Sequence, residues 1–289
     1  GLAQLWHKTD RTFRRPKTSI MMDIASPHSY VSPEAACLTR LFFRLLQDEL
    51  TEFVYPAECA GLHYSVYNST SGLRLSVGGY NHKLPALLEK VLGRLATPTL
   101  DASRFQVQKD LQLKEYGNFF KGQPHALARY AASHLLEMSR WHMLEYIEYV
   151  GSDACSHASL AAFTPRLLER IHMNVLCHGN TSQAEAKALV KQAAEALKSG
   201  PLRTSQRPML RLLQLPADVE VVLRLHPSLY SDSERSLLNT ADTNSAVEFT
   251  LQAGLDKRPD TITLELLVQI LANPCYEQLR TKEQLGYIV

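Results

Sequence analysis

The sequence predicts an α+β protein built of repeated domains, with helices packed on one face of a mostly antiparallel sheet. Three observations predict it. Short runs at Thr18–Ala25, His63–Tyr67, Gly72–Val77 and His172–His178 alternate in the manner of half-buried strands. Between and after them lie longer stretches whose apolar residues recur at three and four positions, the mark of amphipathic helices. A repeat is also visible. A shift of 225 residues places Leu41, Phe42, Leu45 and Leu46 on Leu266, Leu267, Ile270 and Leu271, and Glu58 and Gly61 on Glu283 and Gly286. Strand, amphipathic helix, acidic link, glycine and strand thus occur twice, as a duplicated domain would show.

Taken in order, Thr18–Ala25 is a strand and residues 26–30 a turn. Ser32, Pro33 and Glu34 supply a cap, a proline in the first turn and an early acid, which start a helix. Leu38, Leu41, Phe42, Leu45, Leu46 and Leu50 make its stripe, and it runs to about Phe53. Gly61 breaks the pattern. His63–Tyr67 and Gly72–Val77, joined across 68–71, read as a β-hairpin. Helices follow at Leu84–Leu95, with Asn81 cap-like upstream, and at Asp101–Asn118. Another spans Gln123 to about Glu148, with a break near Arg140, and a further one Ser159–Arg170. His172–His178 is a strand, and Gln183–Lys198 a helix. Residues 198–208 are a linker by composition. Val219–Leu225 and Val247–Gln252 read as strands, 228–244 as a loop with a short helix at Ser233–Leu238, and Pro259–Leu271 as a helix. After a dense polar segment, Gly286 opens a last strand. A chain that stops inside a strand leaves backbone groups without partners, so the expectation is a piece of a longer protein.

Composition bounds the function. At 289 residues the chain can bury roughly three quarters of its unfolded surface, and two domains are expected, 1–211 and 212–289. Its 31 basic and 29 acidic residues balance to +2, which argues against nucleic acid as the main partner. The one basic cluster, Arg11–Lys17, reads as a solvated turn. No apolar run reaches the ~20 residues of a membrane helix. The five cysteines are odd in number and widely spaced, with no CxxC. They read as reduced thiols, which points to the cytoplasm.

The string Leu279-Arg-Thr-Lys-Glu-Gln-Leu-Gly-Tyr-Ile-Val289 resembles the signature in the fourth domain of the insulysin, nardilysin and pitrilysin family of inverted zinc metalloendopeptidases. The resemblance extends over the whole chain, as the third domain and the beginning of the fourth. It implies the carboxyl-terminal half of a clamshell-like enzyme that encloses and hydrolyses peptides. In that family four homologous domains build the chamber, zinc is held by the amino-terminal half, and the signature arginine and tyrosine reach toward the bound peptide. Arg280 and Tyr287 occupy those positions and are the substrate-contacting residues the resemblance implies. Read without it, Arg280 pairs with Glu283 or caps helix carbonyls, and Tyr287 buries its ring in a sheet.

This chain carries no zinc site of its own by sequence. It has neither HxxEH nor HExxH. His134-Leu-Leu-Glu137 and His142-Met-Leu-Glu145 are near misses. On one continuous helix His134, His142 and Glu145 would share a face, but the second ligand is missing at the required step. The helices that the repeat aligns with the zinc helix, Leu38–Phe53 and Ile262–Leu271, contain no histidine. His172 and His178 read as structural, and Gly78-Gly79 as a strand end rather than a phosphate nest. The expectation is therefore a zinc metalloendopeptidase as the full-length protein, inactive as this segment alone. Its partners would be peptides and its own amino-terminal half, and a homodimer stays open. The alternatives are a catalytically inactive scaffold of the same domains, or a mitochondrial processing peptidase or respiratory core-type subunit.

Overall fold

The computed structural model describes residues 1–225, 237–239 and 241–287. The chain forms two compact units, one of residues 1–213 with 223–246, the other of 214–222 with 247–289.

The first unit is the expected α+β layer. Its sheet runs in the order β1 (Ala3–Thr9), β5 (Arg170–Gly179), β2 (Lys17–Ala25), β4 (Gly72–Tyr80), β3 (Leu62–Ser69), with the two-residue β6 (Gly200–Pro201) beside β5. The long pairs β5–β2, β2–β4 and β4–β3 are antiparallel, while β1 and β6 lie parallel to β5. The period-two pattern of the sequence becomes rows across strands. Met22 sits opposite Leu75 on one side and Val175 on the other, and Ile20 opposite Val77 and Cys177. All six are buried.

That face is covered by α1 (Pro33–Cys59) and α2 (Leu84–Ala96), whose stripes Leu41, Phe42, Leu45, Leu46 and Leu88, Val91, Leu92 enter the same core. The opposite face keeps Trp6, Met21 and Leu176 exposed in one row. Around the covered face lie α3 (Ala102–Phe119), α4 (Pro124–Leu136), α5 (Met143–Gly151), α6 (His157–Leu167) and α7 (Gln183–Leu197). Ser32 caps α1 as expected, accepting the Ala35 N–H; Asp101 and Ser182 likewise accept those of Arg104 and Glu185.

Several expectations need correction. Ala3–Thr9 is a strand the sequence reading missed. The helix expected to stop near Phe53 continues to Cys59, passing Pro56 in its last turns. Asn81 is not the cap of α2; its cap position is Lys83, without a side-chain bond. The break expected near Arg140 is present: 123–148 is two helices, with extended backbone at Glu137 and at His142 and a turn between them. There Met138 donates to the Arg211 carbonyl at 2.9 Å and Leu213 to the Leu136 carbonyl at 2.7 Å, which ties 211–213 to this joint.

In the second unit, α8 (Arg258–Tyr276) is the expected helix, extended by a turn and a half. Val219–Leu225 and Val247–Gln252 are not strands. A strand needs a backbone ladder to a neighbour, and among the described residues neither run forms one; Val247 is 92% exposed, and the Gln252 side chain accepts the Leu215 N–H at 2.8 Å. The short helix expected at Ser233–Leu238 and the strand expected to follow Gly286 fall largely outside the described residues.

Candidate functional site

The residues singled out by the signature lie just past α8. The dense polar segment does not leave the helix; it continues as a π-helical turn, Glu277–Lys282, with Glu283 N–H reaching the Gln278 carbonyl at 2.9 Å. Side chains brace this wide turn. Lys282 pairs with Glu277 at 3.2 Å, and the Gln278 amide donates to Glu283 at 2.7 Å. The helix then ends in a reversal. Gln284 adopts φ +52°, a left-handed cap, and Leu285 N–H closes on the Leu279 carbonyl at 3.0 Å.

This reversal brings the two predicted residues together. Arg280 Nη1 donates to the Gly286 carbonyl at 2.8 Å. Its guanidinium carbon lies 4.3 Å from the centroid of the Tyr287 ring and 5.9 Å from that of Tyr276. An arginine so near a ring face gains a cation–π attraction, on the order of 0.5–1 kcal/mol at an exposed site. Arg280 thus does reach a carbonyl, but it is not the partner of Glu283, which takes the Gln278 amide. Tyr287 is 84% exposed, so its hydroxyl faces solvent instead of a sheet interior. A guanidinium has five N–H donors and a phenol one, so after the bond to Gly286 the pair can still donate to a guest carbonyl.

The two HxxE near misses are brought close but not into a metal set. His134 is on α4 and His142 caps α5, with ring centroids 5.2 Å apart. Their carboxylates are committed elsewhere: Glu137 accepts from Arg140 at 2.9 Å and Glu145 from the His142 N–H at 2.6 Å. His142 Nδ1 accepts the Leu144 N–H at 3.2 Å. Burial holds its imidazole below its ordinary range, helped by His134 and opposed by Glu145. Among the described residues no three His, Cys, Asp or Glu side chains gather in a way that could hold a metal. His172 is buried, with Nδ1 against the Gly1 carbonyl at 3.1 Å.

Two family models match the chain in sequence. Residues 1–149 match the middle or third domain of peptidase M16, and 154–289 the peptidase M16 inactive domain. The chain belongs to the M16 peptidase family. It is similar to the human insulin-degrading enzyme, 35% identical over 100% of this chain and 27% of that one. It is 36% identical to the Arabidopsis thaliana insulin-degrading enzyme-like 1, peroxisomal, over 99% of this chain and 29% of that one. It is 31% identical to the putative zinc protease mug138 of Schizosaccharomyces pombe, over 99% and 28%. This M16 segment therefore spans little more than a quarter of the curated relatives it matches. Its fold is similar to the crystal structure of pitrilysin, with a TM-score of 0.63 at 18% identity over 68% of this chain and 21% of that one. A structure of the peptidase M16 inactive domain from Pseudomonas fluorescens matches at 0.52, with 16% identity, over 70% and 50%. No helix among the described residues of this M16 chain is long and apolar enough to cross a membrane.

Proposed function

We propose that this chain is the carboxyl-terminal, non-zinc half of a zinc metalloendopeptidase that encloses and hydrolyses peptides. It would comprise the third homologous domain over 1–211 and the start of the fourth over 212–289. The observation that carries the reading is the exposed Arg280–Tyr287 pair, held by a π turn and a left-handed cap on a helix end. Such a pair offers donors from a braced backbone, so little orientation is lost when a peptide carbonyl arrives. As charge grows on that carbonyl oxygen, a guanidinium and a phenol beside it become more strongly bound, which is what lowers the barrier.

The residues of this chain do not fit a zinc centre, since no three suitable side chains meet among those described. The metal belongs to the amino-terminal half in this reading. The open face of the first sheet, with Trp6, Met21 and Leu176 exposed, fits a chamber wall that meets unfolded peptide. The five unpaired cysteines favour a reducing compartment, the cytoplasm.

The test uses a quenched-fluorescent peptide. The 289-residue chain by itself should hydrolyse nothing, and adding the amino-terminal half should restore cleavage. Arg280→Ala in the assembled protein should then lower kcat/KM about a hundredfold, the usual loss for one such donor. Zinc-dependent hydrolysis by the isolated chain would overturn the reading.

A further inference from the structure

The edge strand β1 carries a row of backbone groups that nothing in the sheet uses. Met173 N–H bonds the Leu2 carbonyl and Asp10 N–H the Gly179 carbonyl, each at 2.9 Å. With Ala3 opposite Met173 and Thr9 opposite Gly179, the parallel ladder runs through Gln4, Trp6 and Lys8. The N–H and C=O groups of Ala3, Leu5, His7 and Thr9 therefore point away from β5. β1 ends the strand order, so among the described residues no neighbour takes them. A free edge of this kind is a template for an added strand.

The side chains on either side of the edge are not neutral to what is added. Toward α7 lies a pocket of about 310 Å³, lined by Leu5, His7, Gln183, Lys187 and Val190. Leu5 and Val190 give it an apolar part, and its lining also carries Lys187, which is exposed and makes no ion pair among the described residues. His7 is anchored there, its Nε2 at 3.0 Å from the Thr181 carbonyl. On the open face the edge presents Trp6, 60% exposed, with exposed Lys8 two residues on. Glu185, in the first turn of α7, is spent on its own cap, accepting Ser182 N–H at 2.7 Å. Each face of the edge therefore sets apolar side chains beside a lysine, Leu5 and Val190 with Lys187 and Trp6 with Lys8.

We propose that the β1 edge binds an extended acidic peptide segment as an added strand. The guest backbone bonds Leu5 and His7, alternate side chains enter the Lys187 pocket, and the others lie over Trp6 and Lys8. Every residue involved lies in the first unit, so the edge can bind peptide whether or not Arg280 and Tyr287 do.

The test is fluorescence anisotropy of a labelled peptide alternating valine and glutamate, titrated with the intact protein. Leu5→Pro removes an outward N–H together with the leucine side chain that lines the pocket, and leaves the ladder to β5, as edge prolines do. Lys187→Glu is a surface change that cannot unfold the sheet. Each should weaken binding at least about tenfold, and a valine–lysine peptide should prefer Lys187→Glu over the unaltered protein. Affinity unchanged from the unaltered protein in either variant, or equal affinity for both peptides, would overturn the proposal. So would sedimentation showing that the edge is covered by a second copy and freed by Leu5→Pro.

Discussion

The Arg280 guanidinium stacks on the Tyr287 ring at 4.3 Å while donating to the carbonyl of Gly286, the residue just before that ring. The two side chains therefore form one unit: the arginine is aimed by the tyrosine face and the tyrosine backbone by the arginine. Separating their contributions needs substitutions that keep the stack. Tyr287→Phe retains the ring and removes only the hydroxyl. In the assembled protein it should lower kcat/KM toward a peptide about a hundredfold if the phenol donates in the transition state. Because Tyr287 is 84% exposed, the thermal midpoint should hold, within the ~0.5 kcal/mol of ordinary surface changes. Arg280→Lys should fare worse than a charge-conserving change suggests, since an ammonium cannot both stack flat and reach Gly286. A Tyr287→Phe protein of undiminished kcat/KM would remove the hydroxyl from the site.

The joint between α4 and α5 should be acid-sensitive. His142 Nδ1 must be unprotonated to accept the Leu144 N–H, and burial beside His134 keeps the ring neutral below its ordinary value of 6.5. Tyr130, Arg140 and Glu145 also face it or the joint it caps. The folded state thus binds a proton less readily than the unfolded one. His142 contributes fully above pH 6.5, and its contribution falls as pH drops through the folded-state value. His142→Thr keeps a cap without a titrating group, so urea midpoints between pH 7 and pH 5 should fall less than in the parent. The difference should be on the order of 1 kcal/mol, the size of a cap. Parallel pH profiles for the two proteins would refute this account.

Two glycines should respond in opposite directions to alanine. Gly79 has φ +128°, and an added Cβ would sit 2.4 Å from the Gly61 carbonyl oxygen, a backbone atom that cannot yield. Gly79→Ala should destabilise by more than about 2 kcal/mol, from both strain and overpacking. Gly93 lies inside α2 with nothing within 4 Å of such a Cβ. Gly93→Ala should stabilise by roughly 0.5–1 kcal/mol. Chemical denaturation of both variants decides this, and the same sign for both would be the adverse result.

The residues related by the 225-residue shift should differ sharply in this chain. Phe42 is 0% exposed and Leu267 is 49% exposed, although the repeat aligns them. Phe42→Ala should cost about 3–5 kcal/mol, the range for a buried aromatic, and Leu267→Ala well under 1 kcal/mol. Comparable losses in urea titration would mean that α8 buries its stripe after all.

Much of this was legible in the residues. The Ser32-Pro33-Glu34 start, the Asp101 cap and the alternation of Ile20, Met22 and Ile24 depend on local spacing, and local spacing is what a sequence displays. The Arg280–Tyr287 pair was legible through its signature string, although nothing in the string spells out a π turn. β1 was not legible. Its half-buried residues alternate with Gln4, Trp6 and Lys8, and it becomes a strand only by pairing with β5, about 170 residues away. The supposed strands at Val219–Leu225 and Val247–Gln252 fail for the converse reason. They have strand-like residues but form no backbone ladder among the described residues, and β-propensity alone does not make one.

By itself the sequence determined the α+β class, the family and the two side chains at the signature, because each is written in contiguous residues. Only the tertiary structure decided which strand has a free edge, that the two HxxE histidines meet across a broken helix, and that Arg280 lies on Tyr287. Each of these depends on backbone direction summed over a turn or a sheet, and so on contacts between residues that the linear order holds apart.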